Sequence, residues 1–157
     1  MTRTSSRAAL LHVAIQDLHA GKIAQAEHLP ALAEMVRDAS LKALLLAEAG
    51  RMRAQAARLA EAGADMSGPE NLWIGGILDD AERDAQSHEP GPLLDVALVG
   101  AVRKAKAAEI VSSETAIALA RAEGLHAIEA AVAANRAEEV ASDRVLKERL
   151  VVMTGTI

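Results

Sequence analysis

The chain has no phenylalanine, no tyrosine, no cysteine and a single tryptophan, Trp73, among its 157 residues. Since 51% of residues are nevertheless apolar, the core must be aliphatic. Without cysteine there are no disulfides, thiol nucleophiles or zinc–thiolate sites, which fits a reducing compartment, and a cytoplasmic location is expected. Positive charge is in deficit, with 17 Lys and Arg against 22 Asp and Glu and a net charge of −5. That balance gives no electrostatic footprint for nucleic acid or an anionic membrane. No stretch approaches the roughly 18 apolar residues needed to span a bilayer. The opening "MTRTSSRAALLHVAIQDL" places two Arg before an apolar stretch, but His12, Gln16 and Asp17 break it. No targeting segment is therefore expected there.

What is abundant is Ala, Leu and Val beside Glu, Arg and Lys, a composition that favours helix. The length suits one domain over residues 1–157. Capping residues and breakers divide it into four long helices, at about 5–37, 40–62, 93–122 and 125–150. Ser5 or Ser6 can cap the first, Pro30 is expected to kink it, and Asp38 or Ser40 can cap the second. Residues 64–92 hold three of the four prolines and several glycines, and form a crossover with a short helix at about 76–87. Gly75 and Gly76 weaken the start of that helix. The tail "VVMTGTI" is β-branched and unpatterned, so it is read as docking on the bundle or fraying. Two short junctions and one long crossover give an all-α four-helix bundle with ferritin-like connectivity, unless the linker folds back locally into an up-down bundle.

Core seams at mixed three- and four-residue spacing are apolar at both ends and polar in the middle. The first runs Leu11, Ile15, Leu18, Lys22, Gln25, Leu29, Leu32, Val36. The second runs Leu41, Leu45, Glu48, Met52 or Arg51, Gln55, Leu59. The third runs Leu94, Leu98, Val102, Lys106, Glu109, Ser113, Ala116, Ala120. The fourth runs Leu125, Ile128, Val132, Asn135, Glu139, Ser142, Leu146, Leu150. Each interruption lies about half-way along its helix, so an antiparallel bundle brings them to one level. A polar layer through a core is costly unless its charges are matched. The alternative is that these residues lie on an exposed flank, with Lys and Arg snorkelling outward.

Other candidate sites are weaker. Glu123 and His126 have Glu-x-x-His spacing, but at a helix start far from the layer, where a capping or surface role is expected. His12 and His19 share a face without a suitably spaced acid, while His28 and His88 read as solvent-facing or loop-borne. Ser112 and Ser113 lack a neighbouring His or an elbow motif, and "GGILDD" lacks the Lys and glycine spacing of a phosphate loop. Trp73, beside Leu72 and Ile74, is expected to pin the crossover to the bundle or to anchor an interface.

From about Asp17 to Leu146 the chain resembles the YciE/YciF-like branch of ferritin-like bundle proteins. The helix-one pattern of that family is similar to D-L-Y-x-A-E-x-Q-L-x-x-x-L-P, with Asp17, Leu18, Leu29 and Pro30 at its fixed places. In helix three, "DVALV" at 95–99 and "AKAAEIV" at 105–111 correspond to runs like D-A-A-L-I and V-E-H-Y-E-I-A. In helix four E-E-x-x-x-D-x-x-L is matched by Glu138, Glu139, Asp143 and Leu146. Helix two matches mainly in Leu41, Lys42, Arg58 and Leu59.

The resemblance implies a central two-metal site of carboxylates and histidines, a stress-related setting and a homodimer. At the matching positions, however, Lys22 replaces the helix-one Glu and Arg51 falls at the helix-two acid, with Gln55 one turn on. In helix three Lys106 replaces a Glu and Ala107 a His. The expectation is thus a metal-free, non-enzymatic protein without cofactor, acting through self-association or a protein partner. Its layer of Lys22, Gln25, Glu48, Arg51, Gln55, Lys106, Glu109, Asn135 and Glu139 would be an ion-pair network, with Ser142 nearby. Two alternatives remain: residual binding of iron, manganese or zinc through Glu48, Glu109, Glu138 and Glu139, or a small apolar ligand in a core rich in alanine.

Overall fold

The computed structural model describes residues 4–157, which are all-helical with no strand among them. Helix α1 spans Arg7–Met35, and α2 follows at Ala39–Glu61. The crossover carries α3, Leu72–Ser87, before α4 at Pro92–Ala122 and α5 at His126–Thr154. Helices α1 and α2 pack closely as one hairpin, and α4 and α5 as another. The hairpins meet along α1 and α4, where α3 lies against both. Along the opposite side, α2 and α5 touch far less.

Local chemistry explains the boundaries. Ser6 caps α1 by accepting from the Ala9 N–H at 3.1 Å, and Asp38 caps α2 through the Leu41 N–H at 2.7 Å. Buried Asp95, one turn into α4, accepts the Arg37 and Asp38 N–H groups at 3.1 and 2.9 Å. It thereby satisfies the tight α1–α2 turn from across the bundle. Helices α2 and α4 each end near a glycine of positive φ, Gly63 at 87° and Gly124 at 69°, where L residues are strained.

Pro30 sits inside α1 and the helix continues through it. Its missing N–H would orphan the Ala26 carbonyl, and Arg53 on α2 donates to that carbonyl at 3.0 Å.

Two expectations are corrected. The short helix starts at Leu72, not 76, because Asn71 caps it by accepting the Ile74 N–H at 3.1 Å. Buried Ile74, Leu78 and Ala81 then dock its inner face, which outweighs a cost of about 1 kcal/mol for each glycine. The last helix ends not at 150 but at Thr154, and the tail docks rather than frays, since Met153 is buried in the core.

The apolar core is split. One cluster unites Leu29, Leu32, Leu41, Leu45, Leu94, Leu98 and Leu146 near the α1–α2 turn. A second unites Leu11, Ile15, Leu18, Leu59, Ala116 and Val132 near the α4–α5 turn. Between them lie the polar middles of all four long helices. A third, small cluster of Ile74, Leu78 and Ala105 holds α3, with half-buried Trp73 packed against it.

Candidate functional site: a charged layer inside the bundle

Seam periodicity places polar side chains from α1, α2, α4 and α5 at one level. Lys22 is 1% exposed, and Lys106, Glu109 and Glu139 are fully buried. Gln25, Glu48, Gln55, Ser113, Asn135 and Ser142 are buried with them. A charge that is deeply buried needs a partner, because transfer from water alone costs several kcal/mol per ion.

The partners are present. Lys22 Nζ donates to Glu109 Oε2 and stands 4.0 Å from Glu139 Oε1. Lys106 Nζ donates to Glu48 Oε1 and, at 2.8 Å, to Glu139 Oε2. Gln25 Nε2 donates to the second oxygen of Glu109 at 3.2 Å. Ser142 Oγ donates to Glu48 Oε2 at 2.6 Å, and Arg51 Nη1 reaches the same oxygen. Three carboxylates thus face two ammonium groups and one guanidinium, so the formal charges cancel. Burial pushes the Glu109 carboxyl above the usual carboxylate range; Lys22 opposes that shift and the nearby Glu139 adds to it. Glu139 Oε1, Gln25 Oε1, Gln55 Oε1 and Ser113 Oγ are buried without a hydrogen-bond partner among the described residues.

Two expected members sit differently. Met52, not Arg51, occupies the helix-two seam, and the Arg51 side chain keeps 37% of its exposure while reaching inward from the rim. Glu138 faces outward, where Arg58 donates at 2.7 Å and Gln55 Nε2 at 3.0 Å. Burial raises the Glu138 pKa, but the hydrogen bonds from Arg58 and Gln55 outweigh it, and the net shift is downward. Glu138 is therefore not brought together with Glu48, Glu109 and Glu139. Asn135 donates to the Gln55 carbonyl at 3.2 Å and accepts from Arg58.

A cleft of about 220 Å³ opens between α2 and α5, lined by Leu44, Ala47, Val145 and Leu146 and floored by Glu48 and Ser142. On the other side, Gly21 lets α3 close over the layer: a Cβ there would lie 3.0 Å from both Asn71 Nδ2 and Glu109 Oε1. Seam reading did not reveal Gly21, because its role depends on α3. The Arg103–Asp143 pair, at 2.8 and 3.2 Å, accounts for the Asp of the helix-four motif outside the layer.

The remaining candidates disperse. Glu123 pairs with Arg7, while His126 is exposed beside Glu129. His12 lies 3.6 Å from Asp65, His28 bonds the Ala24 carbonyl, and exposed His88 bonds the Asp84 carbonyl. His19 is partly buried, which lowers its pKa. Ser113 belongs to the layer, and its Oγ has no hydrogen-bond partner, His or other, among the described residues.

Residues 6–155 match the family model described as a domain of unknown function, DUF892. The E. coli stress protein YciF has a similar structure, with a TM-score of 0.92 at 19% identity, covering 98% of this chain and all of that one. YcfI from Rhodopseudomonas palustris, provisionally described as a structural protein, matches with a TM-score of 0.85 at 23% identity, covering 94% of this chain and 97% of its own. No curated protein sequence matches the chain significantly. At these identities the two structures establish a shared fold.

Proposed function

The chain belongs to the DUF892 family, and from the charged layer we propose that it is a metal-free, non-enzymatic helical protein that works through self-association or a protein partner. The observation that carries this reading is the placement of the two buried lysines. A divalent metal pair would have to be held by Glu48, Glu109 and Glu139, and each of these carboxylates already receives an ammonium group. Protonated lysine cannot ligate, and its charge opposes a divalent cation. The residues do not fit the metals that ferritin-like bundles hold.

The descriptions of the two structural relatives, a stress protein and a structural protein, agree with a role in which shape and association matter more than turnover. A homodimer acting in the cytoplasm is the simplest form of that role. The apolar α2–α5 cleft favours a second reading, a small apolar ligand lodged beside Leu44, Val145 and Leu146.

The test is elemental analysis of protein purified without chelator, incubated with Fe(II), Mn(II) or Zn(II), and desalted. Fewer than about one metal per ten chains is expected, given the ammonium groups on all three buried carboxylates. One or two tightly held metals per chain would overturn the reading. Light scattering on the same sample checks association, with a monomer at all concentrations arguing against the homodimer.

A further inference from the structure

The Lys22–Glu109 contact has the components of an amide-forming site as well as those of an ion pair. We infer that in the folded chain Lys22 Nζ and Glu109 Cδ become joined by an intramolecular isopeptide bond that staples α1 to α4.

Four observations carry this. The amine contacts an oxygen of the carboxyl it would attack, Glu109 Oε2, and both side chains are sealed from water at 1% and 0% exposed. The Glu109 oxygen that does not touch Lys22, Oε1, receives the Gln25 amide at 3.2 Å, where a donor stabilises charge on a tetrahedral intermediate. A third carboxylate, Glu139, holds its Oε1 4.0 Å from Lys22 Nζ, and that atom is buried without a hydrogen-bond partner among the described residues. It is placed to carry a proton. Finally, a chain without cysteine has no disulfide with which to tie α1 to α4.

The step balances without any co-reactant. Lys22 passes one proton to Glu109 Oε2, giving a neutral amine beside a neutral acid. Rotation of the lysine terminus brings Nζ over Cδ, and the N–C bond forms as charge moves to Oε1. Glu139 Oε1 takes a second proton from the nitrogen and delivers it to the Oε2 hydroxyl, which leaves as water. The amide carbonyl reforms on Oε1, still held by Gln25, and Glu139 returns to its starting form. Enforced proximity of this kind is worth effective molarities of about 10⁵ M or more.

Lys106 is a poorer nucleophile for the same reaction. Two carboxylates hold it at once, Glu48 and Glu139, and Ser142 and Arg51 fix Glu48 from the far side. Its proton has nowhere better to go.

The inference rests on the metal-free reading, since a metal would claim the Glu109 and Glu139 oxygens. Elemental analysis tests that reading; mass tests this one. The full chain is measured intact under denaturing conditions and after trypsin. The expected mass is one water below that of the sequence, with peptide 8–37, uncleaved after Lys22, joined to peptide 107–121. Lys22→Arg should restore the full mass. Glu139→Gln should slow the reaction, so that freshly made protein shows both masses and converts on standing. A metal-free wild-type chain at full mass overturns the isopeptide bond alone, as does a water loss mapped to other residues or retained in Lys22→Arg. The wild-type mass decides the matter even if a variant fails to fold.

Discussion

The charged layer has two unlike sides. Toward α1 and α4 it is roofed: α3 lies across both helices, Gly21 admits it, and Ile74 and Asn71 close the space above Glu109. Toward α2 and α5 it is open, because those helices stand apart and polar side chains span the cleft between them, Arg51 to Ser142, Gln55 and Arg58 to Glu138. The same layer thus supports charge in two ways. On the roofed side Glu109 is held by Lys22 and the neutral Gln25 amide. On the open side part-exposed side chains, Arg51, Arg58 and Glu138, share the work. Even the carboxylates diverge: burial pushes Glu109 up, while at Glu138 burial is outweighed by Arg58, Gln55 and Arg51 together and the net shift is down.

The largest test of this contrast removes one cation from each side. Lys22→Met leaves Glu109 buried opposite an apolar chain, which should cost about 3–5 kcal/mol. Arg51→Met removes a contact to Glu48 from a side chain still 37% exposed, and Lys106 and Ser142 continue to hold that carboxylate. Its cost should stay near or below about 1 kcal/mol after solvent screening. Urea unfolding of both variants at neutral pH checks the ranking, and equal losses would break the distinction between the sides.

How much of this was legible beforehand follows from the same contrast. Helix number, crossover and the seams are written in short-range chemistry: three- and four-residue apolar spacing, Asp38 before α2, proline and glycine in the linker. The polar interruptions were therefore readable, and so was their common level. Which neighbouring residue turns inward was not. Met52 and Arg51 are about 100° apart on the helix, and only the distance between α2 and α5 decides that the thioether packs while the guanidinium stays at the rim. Glu138 and Glu139 pose the same choice one helix away. The helix end at 150 and the start of α3 were set short for a related reason: a buried Met153, which docks the tail, and a docked Ile74 override weak local propensity. Gly21 carried no local signal, since its neighbours Asn71 and Ile74 come from the crossover.

Glycine sharpens the comparison at the next level of energy. Gly21 and Gly50 both lie inside long helices, where alanine should help by about 1 kcal/mol on propensity alone. At Gly50 a Cβ meets nothing within 4 Å, so Gly50→Ala should realise most of that gain. At Gly21 it would press on Asn71 and Glu109 at 3.0 Å and Ile74 at 3.2 Å, none of them a free side-chain end. Gly21→Ala should therefore destabilise by about 1–3 kcal/mol, despite the better helix former. Thermal unfolding of the pair reads this directly. A gain at both positions would mean that the roof over the layer is loose.

The smallest effect is electrostatic and separates the sides by pH. Glu138 has a folded-state pKa below its ordinary value: burial pushes it up, but hydrogen bonds from Arg58 and Gln55 and the charges of Arg58 and Arg51 outweigh that. Its ionised form is thus the stabilising one. That contribution is complete above the unfolded-state pKa of about 4.5 and disappears as pH falls through the lower folded value. Wild type should exceed Glu138→Gln by no more than about 1 kcal/mol at neutral pH, because the pair is partly exposed and screened. The gap should close in acid as Glu138 takes up its proton. Unfolding of wild type and Glu138→Gln, followed from neutral pH to about pH 3, measures the gap. If it widened in acid instead, Glu138 would belong with the buried carboxylates and the open side would be open in shape only.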